Sequence, residues 1–289
     1  MVNQQGTLIK DSSETICVKN FNKAFINWFI GFVEGNENVF IVNRRYLRFE
    51  ITVFIKDQSI IYFIKKTLGF GIIRKLRFLN DIIIEFSVQE NIPDLLKLIN
   101  IFNGNFRCSY KEQHFKIWYK KLQVKLKKLN LLNLLPNYKN ELKNINLSNS
   151  WLLGYIDSKV LFYGRWHKSK KLKEGKELYL CCIFWHLNKD LLINIKNLLK
   201  SNSKIEEKIK WNLPFFKLVI DNISEKNIID QYLNNYKLKS RKKKKYKFWK
   251  ILLKYENIYI NTKTQDIKNI ENILNKLAST VEGDELYKI

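Results

Sequence analysis

An internal repeat constrains this chain more than any other feature. Trp28-Phe29-Ile30-Gly31-Phe32-Val33-Glu34-Gly35 and Trp151-Leu152-Leu153-Gly154-Tyr155-Ile156-Asp157-Ser158 share one pattern: tryptophan, two apolar residues, glycine, two apolar residues, an acid, a small residue. Self-similarity at long period marks a duplicated structural unit, and the two glycines lie 154 − 31 = 123 positions apart. In each copy small residues stand four apart, Gly31 with Gly35 and Gly154 with Ser158, and therefore share one helix face. A face of that kind lets two helix backbones come close. These four residues are predicted to form a helix–helix interface on a pseudo-twofold axis.

The same order of elements follows each copy. In the first half, alternating apolar residues predict strands over 39–43 and 48–55, then a helix over 58–68 opened by Asp57 and closed by Gly69. A hairpin over 72–78 and 82–88 comes next, followed by helices from Pro93 to Phe102 and over 113–129. In the second half the strands fall at 160–166, 178–186, 205–211 and 215–220, with helices at 189–199 and from Ser224 to Asn234. Phe115-Lys116-Ile117-Trp118 parallels Tyr246-Lys247-Phe248-Trp249, with both tryptophans assigned to the core. The expected fold is α+β: two pseudo-symmetric αββαββα repeats whose sheets form a saddle. The expected organisation is an extension over 1–20, a first repeat over 21–129, a linker over 130–149, a second repeat over 150–280 and a tail over 281–289.

Charge narrows the function. The 289 residues carry 52 Lys+Arg against 27 Asp+Glu, a net charge of +25, and 46% hydrophobic with 14% aromatic residues is enough to build a core. That composition excludes a disordered chain and points to a polyanionic partner, nucleic acid before an anionic membrane. The 8 Arg against 44 Lys, with 33 Asn and only 2 Ala, suggest A/T-rich coding such as an organelle's. No C-x-x-C pair or grouped histidines offer a metal motif, so no cofactor is expected. The first twenty residues lack an apolar signal core, and no apolar run is long enough to cross a membrane.

The basic residues fall in patches. From Lys237 to Lys250, nine of fourteen residues are basic, among them Lys239, Arg241, Lys242, Lys243, Lys244 and Lys245, with Tyr246, Phe248 and Trp249 between them. Arg165, Lys168, Lys170, Lys171 and Lys173 surround a strand connection, where Trp166 and His167 suit either bases or the interior. Arg44, Arg45 and Arg48 occupy the equivalent place in the first half, and Arg74, Lys75 and Arg77 flank its next hairpin. Lys120 to Lys128 coat one helix. Lys and Arg supply phosphate contacts, and exposed aromatics can stack on bases.

The stretches Phe29 to Glu37 and Leu152 to Val160 resemble the two signature helices of double-motif LAGLIDADG homing endonucleases, and Tyr236 to Lys243 is similar to that family's late Y-x-L-x-S-x-K element. The resemblance spans about residues 20–280. It implies a protein that cuts double-stranded DNA with divalent metal, held by an acid at the eighth position of each motif. Here those positions are Asn36 and Lys159. The amide keeps an oxygen but no charge, and the ammonium repels a cation. Glu37 is one residue away, a rotation of about 100° on a helix. Glu34 and Asp157 hold the sixth position, which the resemblance makes structural.

Three functions are weighed. The first is a catalytically inactive family member that binds structured RNA as a component of an organellar, mitochondrial ribosome, alongside other ribosomal proteins. The second is a group I intron maturase, and the third an active DNA endonuclease. The lost acids argue against the third, so no catalytic residue and no metal ligand is assigned. Lys159 is assigned to a phosphate, RNA is favoured over DNA, and the protein is read as a monomer away from membranes.

Overall fold

A computed structural model describes residues 21–37, 39–44, 46–78, 81–168, 176–210, 213–257 and 264–279. The chain divides into two compact units, one ending at Tyr155 and one beginning at Ile156.

The first unit opens with α1 (Lys23–Gly35), capped by Asn22, whose side-chain oxygen accepts the Ala24 N–H at 2.8 Å. From Trp28 to Gly35 every residue of α1 is buried, as expected of a helix apolar on all sides. Strands β1 (Phe40–Val42) and β2 (Leu47–Phe54) lead to α2 (Gln58–Leu68), then β3 (Ile72–Phe78), β4 (Asp81–Gln89), α3 (Ile92–Phe102) and α4 (Ser109–Lys128). The sheet is antiparallel in the order β1-β2-β4-β3. Its helix-covered face carries Phe49, Ile51, Ile84, Phe86 and Val88, and the tilted and edge-on rings of Phe29, Phe40, Phe102 and Phe115 pack with it.

Helix α5 (Trp151–Lys159) starts in the first unit and ends in the second. Its first turns lie against α1. A Cβ on Gly154 would collide with the Trp28 carbonyl and sit 2.7 Å from the Phe32 nitrogen, and one on Gly31 would collide with the Trp151 carbonyl. The two repeated glycines therefore form the close approach that the repeat predicts. Gly35 is buried and Ser158 half-buried.

The second unit continues with β5 (Val160–Lys168), β6 (Lys176–His186), α6 (Lys189–Leu198), β7 (Ile205–Lys210), β8 (Leu213–Ile220), α7 (Ile223–Asn235), α8 (Lys242–Asn257) and α9 (Thr264–Ser279). Its sheet, in the order β5-β6-β8-β7, repeats the topology of the first. Trp249 and Tyr246 of α8 pack on Phe162, while Leu274 and Leu277 of α9 close over Gly164. Each unit has a helix beyond αββαββα, α4 or α8, and the second also has α9.

Local details differ from expectation. Asp57 ends a 3-10 turn, and its side chain makes no cap bond. Asn222, not Ser224, caps α7, because the asparagine oxygen reaches the Ser224 N–H at 2.9 Å. The 130–149 stretch is pinned to the first unit. Tyr119 Oη donates to the Pro136 carbonyl at 2.6 Å, Asn103 bonds both Asn137 and Lys139 at 2.8 Å, and the Lys143 N–H meets the Phe106 carbonyl at 2.7 Å. The extension over 1–20 and the tail over 281–289 lie outside the described residues. No helix among the described residues is long and apolar enough to cross a membrane.

Candidate nucleic-acid interface

The two motif acids at position six perform one task twice. Glu34 is fully buried; its Oε1 accepts the backbone N–H groups of Arg107 at 2.5 Å and Cys108 at 2.7 Å, and its Oε2 accepts the Trp151 indole N–H. Asp157 accepts the N–H groups of Lys239 at 3.1 Å and Ser240 at 2.9 Å, and the Ser240 hydroxyl at 2.6 Å. Each carboxylate thus fixes the loop that starts the basic helix of its own repeat. Burial raises the Glu34 carboxyl above its ordinary value, against the lowering pull of its N–H donors and Arg107. These are structural roles, as the sequence expects.

Cations and a neutral amide surround the feet of the motif helices. Asn36 ends α1. Its side-chain NH₂ donates to the Phe32 carbonyl at 2.7 Å, and its backbone carbonyl accepts the buried Lys111 ammonium. In the second unit Lys159 ends α5, and the Lys242 ammonium donates to the Ile156 carbonyl at 3.1 Å. Lys111 and Lys242 stand 242 − 111 = 131 apart, the same spacing as Trp118 and Trp249. Both place positive charge at a helix C-terminus, where the backbone dipole favours it. Glu37 is exposed at the first foot. Ammonium groups repel Mg²⁺ and Ca²⁺, and the Asn36 amide offers one neutral oxygen where these hard cations are best held by carboxylates. Among the described residues no group of three or more His, Cys, Asp or Glu could hold a metal.

The sheet faces away from the helices differ between units. On the first, Arg48 pairs with Glu50 at 3.1 Å and with Glu85, which also accepts the Ser87 hydroxyl at 3.0 Å. Burial lifts the Glu50 carboxyl above its ordinary value, Arg48 pulling it back down. Arg48, expected on nucleic acid, is half-buried and paired with two carboxylates, Glu50 two residues along its own strand and Glu85 brought beside it by the β2–β4 register. Arg74 is exposed on this face with Ile72, Leu76 and Phe78. Lys75 and Arg77 are exposed on the opposite side of β3, since strand residues alternate.

On the second sheet, the corresponding face carries cations and aromatic rings together with Glu177 and Glu206, the latter 3.9 Å from the Lys217 ammonium, and its Trp185 is 7% exposed while Tyr179 and Phe215 are half-buried. Arg165 lies over the Tyr179 ring at 5.6 Å and Lys217 over the Trp185 ring at 5.3 Å, while Trp185 and Phe215 meet at 5.3 Å. His167 is exposed here, whereas Trp166 pairs with Leu178 on the helix-covered side. Tyr179, Trp185, Phe215 and Lys217 carry no motif that marks them in the sequence, although period-two alternation along 177–185 and 215–220 picks them out once the buried side is known.

The remaining basic positions split similarly. Lys239, Lys243 and Lys244 are exposed, and Arg241 and Lys242 are half-buried. Lys245 is 1% exposed, which removes it from any surface, because α8 turns it toward the core beside Trp249. Tyr246 is half-buried, and its hydroxyl donates to Asp230 at 2.6 Å, so it offers no free ring for stacking. Arg44 is exposed in the β1–β2 turn. Arg45, Lys170, Lys171 and Lys173 lie outside the described residues, as does the Lys168 side chain.

A family model described as LAGLIDADG endonuclease matches residues 29–122 and 152–253. Probable intron-encoded endonuclease 4 of Neurospora crassa is 30% identical over 284 residues, 92% of this chain and 46% of that protein. Probable intron-encoded endonuclease Cox1-I1b of Schizosaccharomyces pombe is 26% identical over 269 residues, 85% of this chain and 62% of that protein. Intron-encoded RNA maturase bI4 of Saccharomyces cerevisiae is 30% identical over 140 residues, 48% of this chain and 19% of that protein. The chain spans about half the length of the first two relatives, 46% and 62%. In fold it is similar to the I-LtrWI homing endonuclease bound to target DNA, with a TM-score of 0.68 at 20% identity, covering 88% of this chain and 98% of that one.

Proposed function

This chain belongs to the LAGLIDADG endonuclease family, and from that membership we propose that it is a member that holds RNA and does not cut DNA. One observation carries the reading: the eighth motif positions are Asn36 and Lys159, an amide and an ammonium where the family resemblance calls for acids. Two-metal cleavage needs carboxylates that draw divalent ions to the scissile phosphate. Ammonium groups attract the phosphate and repel the metal, which supports binding without cleavage. A supercoiled plasmid carrying the cognate insertion site is expected to stay intact with Mg²⁺ or Mn²⁺; specific double-strand breaks contradict the proposal.

RNA is favoured because the second sheet sets Arg165 beside the partly exposed Tyr179 ring and Lys217 near Phe215, cations and rings of the kind that take up unstacked bases. The proposed contacts are Arg74, Lys159, Arg165, Lys168, Lys239, Arg241, Lys243 and Lys244. The likeness to an intron-encoded RNA maturase supports a folded intron as the partner. A place in a mitochondrial ribosome is the second reading; it is supported by the lysines exposed on α4 and α8, away from the sheet faces. The intron-encoded relatives and the A/T-biased composition support a mitochondrial location. Sucrose-gradient sedimentation of mitochondrial extract separates the two readings. Enrichment on one intron-containing transcript supports the maturase, and co-migration with a ribosomal subunit supports the ribosomal protein.

A further inference from the structure

The last two turns of α4 present Lys121, Val124, Lys125 and Lys128 on one side, spaced i, i+3, i+4 and i+7. Leu122 and Leu126 of the same turns are fully buried, which fixes the helix rotation. Facing this side stand Arg44 and Tyr46 of the β1–β2 turn and Leu47 at the start of β2. Between the two walls lies a cavity of about 230 Å³, with Glu90 as the one carboxylate lining it among the described residues. Glu90 is held in place: its backbone is left-handed, with φ 59°, and its Oε1 accepts the Leu47 N–H at 2.7 Å. Its other oxygen pairs with Lys125. Four cations against one carboxylate leave a surplus of three, carried by Arg44, Lys121 and Lys128.

Neutralising the helix terminus does not account for that surplus. A helix C-terminus carries about half a negative charge, which Lys125, Lys127 and Lys128 already exceed. Arg44 comes from a different element. Nor is the feature inherited with the repeat. Shifting by the 131 residues that separate Trp118 from Trp249 puts Leu252, Tyr255 and Glu256 where Lys121, Val124 and Lys125 stand. The walls also offer more than charge: Val124 is 54% exposed and Tyr46 is half-buried. Cations beside an apolar floor and a phenol ring match a phosphate attached to a base better than a free anion. The volume lies below the several hundred Å³ usual for small-molecule sites, enough for a phosphate with part of its nucleotide and too narrow for a duplex. Leu47 belongs to the helix-covered side of β2 and Arg48 to the other, so the groove opens away from the exposed sheet face.

We propose that this groove is a second RNA-binding site that seats one unpaired nucleotide, its phosphate on Arg44, Lys121 and Lys128 and its base against Tyr46 and Val124. The inference rests on the RNA reading above and adds that the partner is folded RNA, able to present an unpaired nucleotide here while another segment lies on a sheet face.

The test uses the full chain and a 30-nucleotide mixed-sequence RNA containing 4-thiouridine. After irradiation the crosslinked peptides are mapped by mass spectrometry. Crosslinks are expected at Tyr46 and on the second sheet face at Tyr179 or Phe215, and Lys121→Glu with Lys128→Glu should remove the first and keep the second. The same pair should lower the slope of log affinity on log salt by about 0.7 for each phosphate that the groove no longer neutralises. Lys121→Gln with Lys128→Gln, which adds no repulsion, should act in the same direction. Crosslinks on the second sheet face without any at Tyr46 overturn the groove and leave the RNA reading intact. No crosslink anywhere overturns both. Displacement of the Tyr46 crosslink by polyglutamate at concentrations that spare the second sheet face assigns the groove to an acidic protein and also overturns the proposal.

Discussion

At the residue scale, a few side chains hold contacts that no substitute reproduces. Gly31 and Gly154 each face a backbone carbonyl of the partner helix. Gly154→Ala forces two backbones apart and should cost about 3 kcal/mol, the upper end for overpacking, read as a lower urea midpoint. Glu34→Ala strands two backbone N–H groups and an indole N–H and should cost at least as much, roughly 3 kcal/mol. The pH dependence has a definite sign. Burial raises the folded Glu34 carboxyl above its ordinary 4.5, so the folded chain keeps a proton that the unfolded chain has lost. The stabilisation from that proton is full below 4.5 and declines as pH rises through the folded value. Glu34→Gln should flatten this part of the stability curve; an unchanged slope contradicts the assignment. The buried thiols make a separate prediction. Cys108 is pushed up to about 12 and Cys181 to about 11, both mainly by burial, and Cys182 also rises. All three should resist maleimide at pH 7.5 until the chain unfolds.

At the element scale, the sequence was informative about what each segment becomes and less so about which way it faces. Repeated tryptophans, strand alternation and the Gly69 stop are local signals, and they read correctly as buried helix faces, strands and a helix end. Arg48 could be read only in part: Glu50 is two residues away, but its other partner Glu85 is 37 residues away, and that pair exists only because β2 and β4 align Thr52 with Glu85 and Glu50 with Ser87. Lys245 looked like its neighbours in a basic run, yet helical rotation puts it beside Trp249 in the core while Lys243 and Lys244 stay exposed. That split is testable. Lys243→Glu with Lys244→Glu should weaken RNA binding with the melting temperature nearly unchanged, whereas Lys245→Glu buries an unpaired acid and should destabilise by several kcal/mol, at about 3 or more. Equal thermal effects of the two changes would contradict the placement.

At the scale of the whole molecule, a net charge of +25 is distributed over surfaces with different chemistry. The first sheet face spends Arg48 on its own carboxylates, the second sets rings and cations beside Glu177 and Glu206, and the eighth motif positions hold an amide and an ammonium where the family resemblance calls for acids. The duplication was legible because it is written twice in the chain. The difference between the two sheet faces was not, because it depends on strand register and on which side the helices cover. The account's central claim is that this family fold holds RNA and leaves DNA uncut. The most direct measurement incubates the full chain with labelled intron RNA and labelled insertion-site duplex in one Mg²⁺-containing reaction, reading binding by gel shift and cleavage on a denaturing gel. The account predicts a shifted RNA and a duplex of unchanged length. A duplex cut at a defined position, with the RNA unshifted, would contradict it.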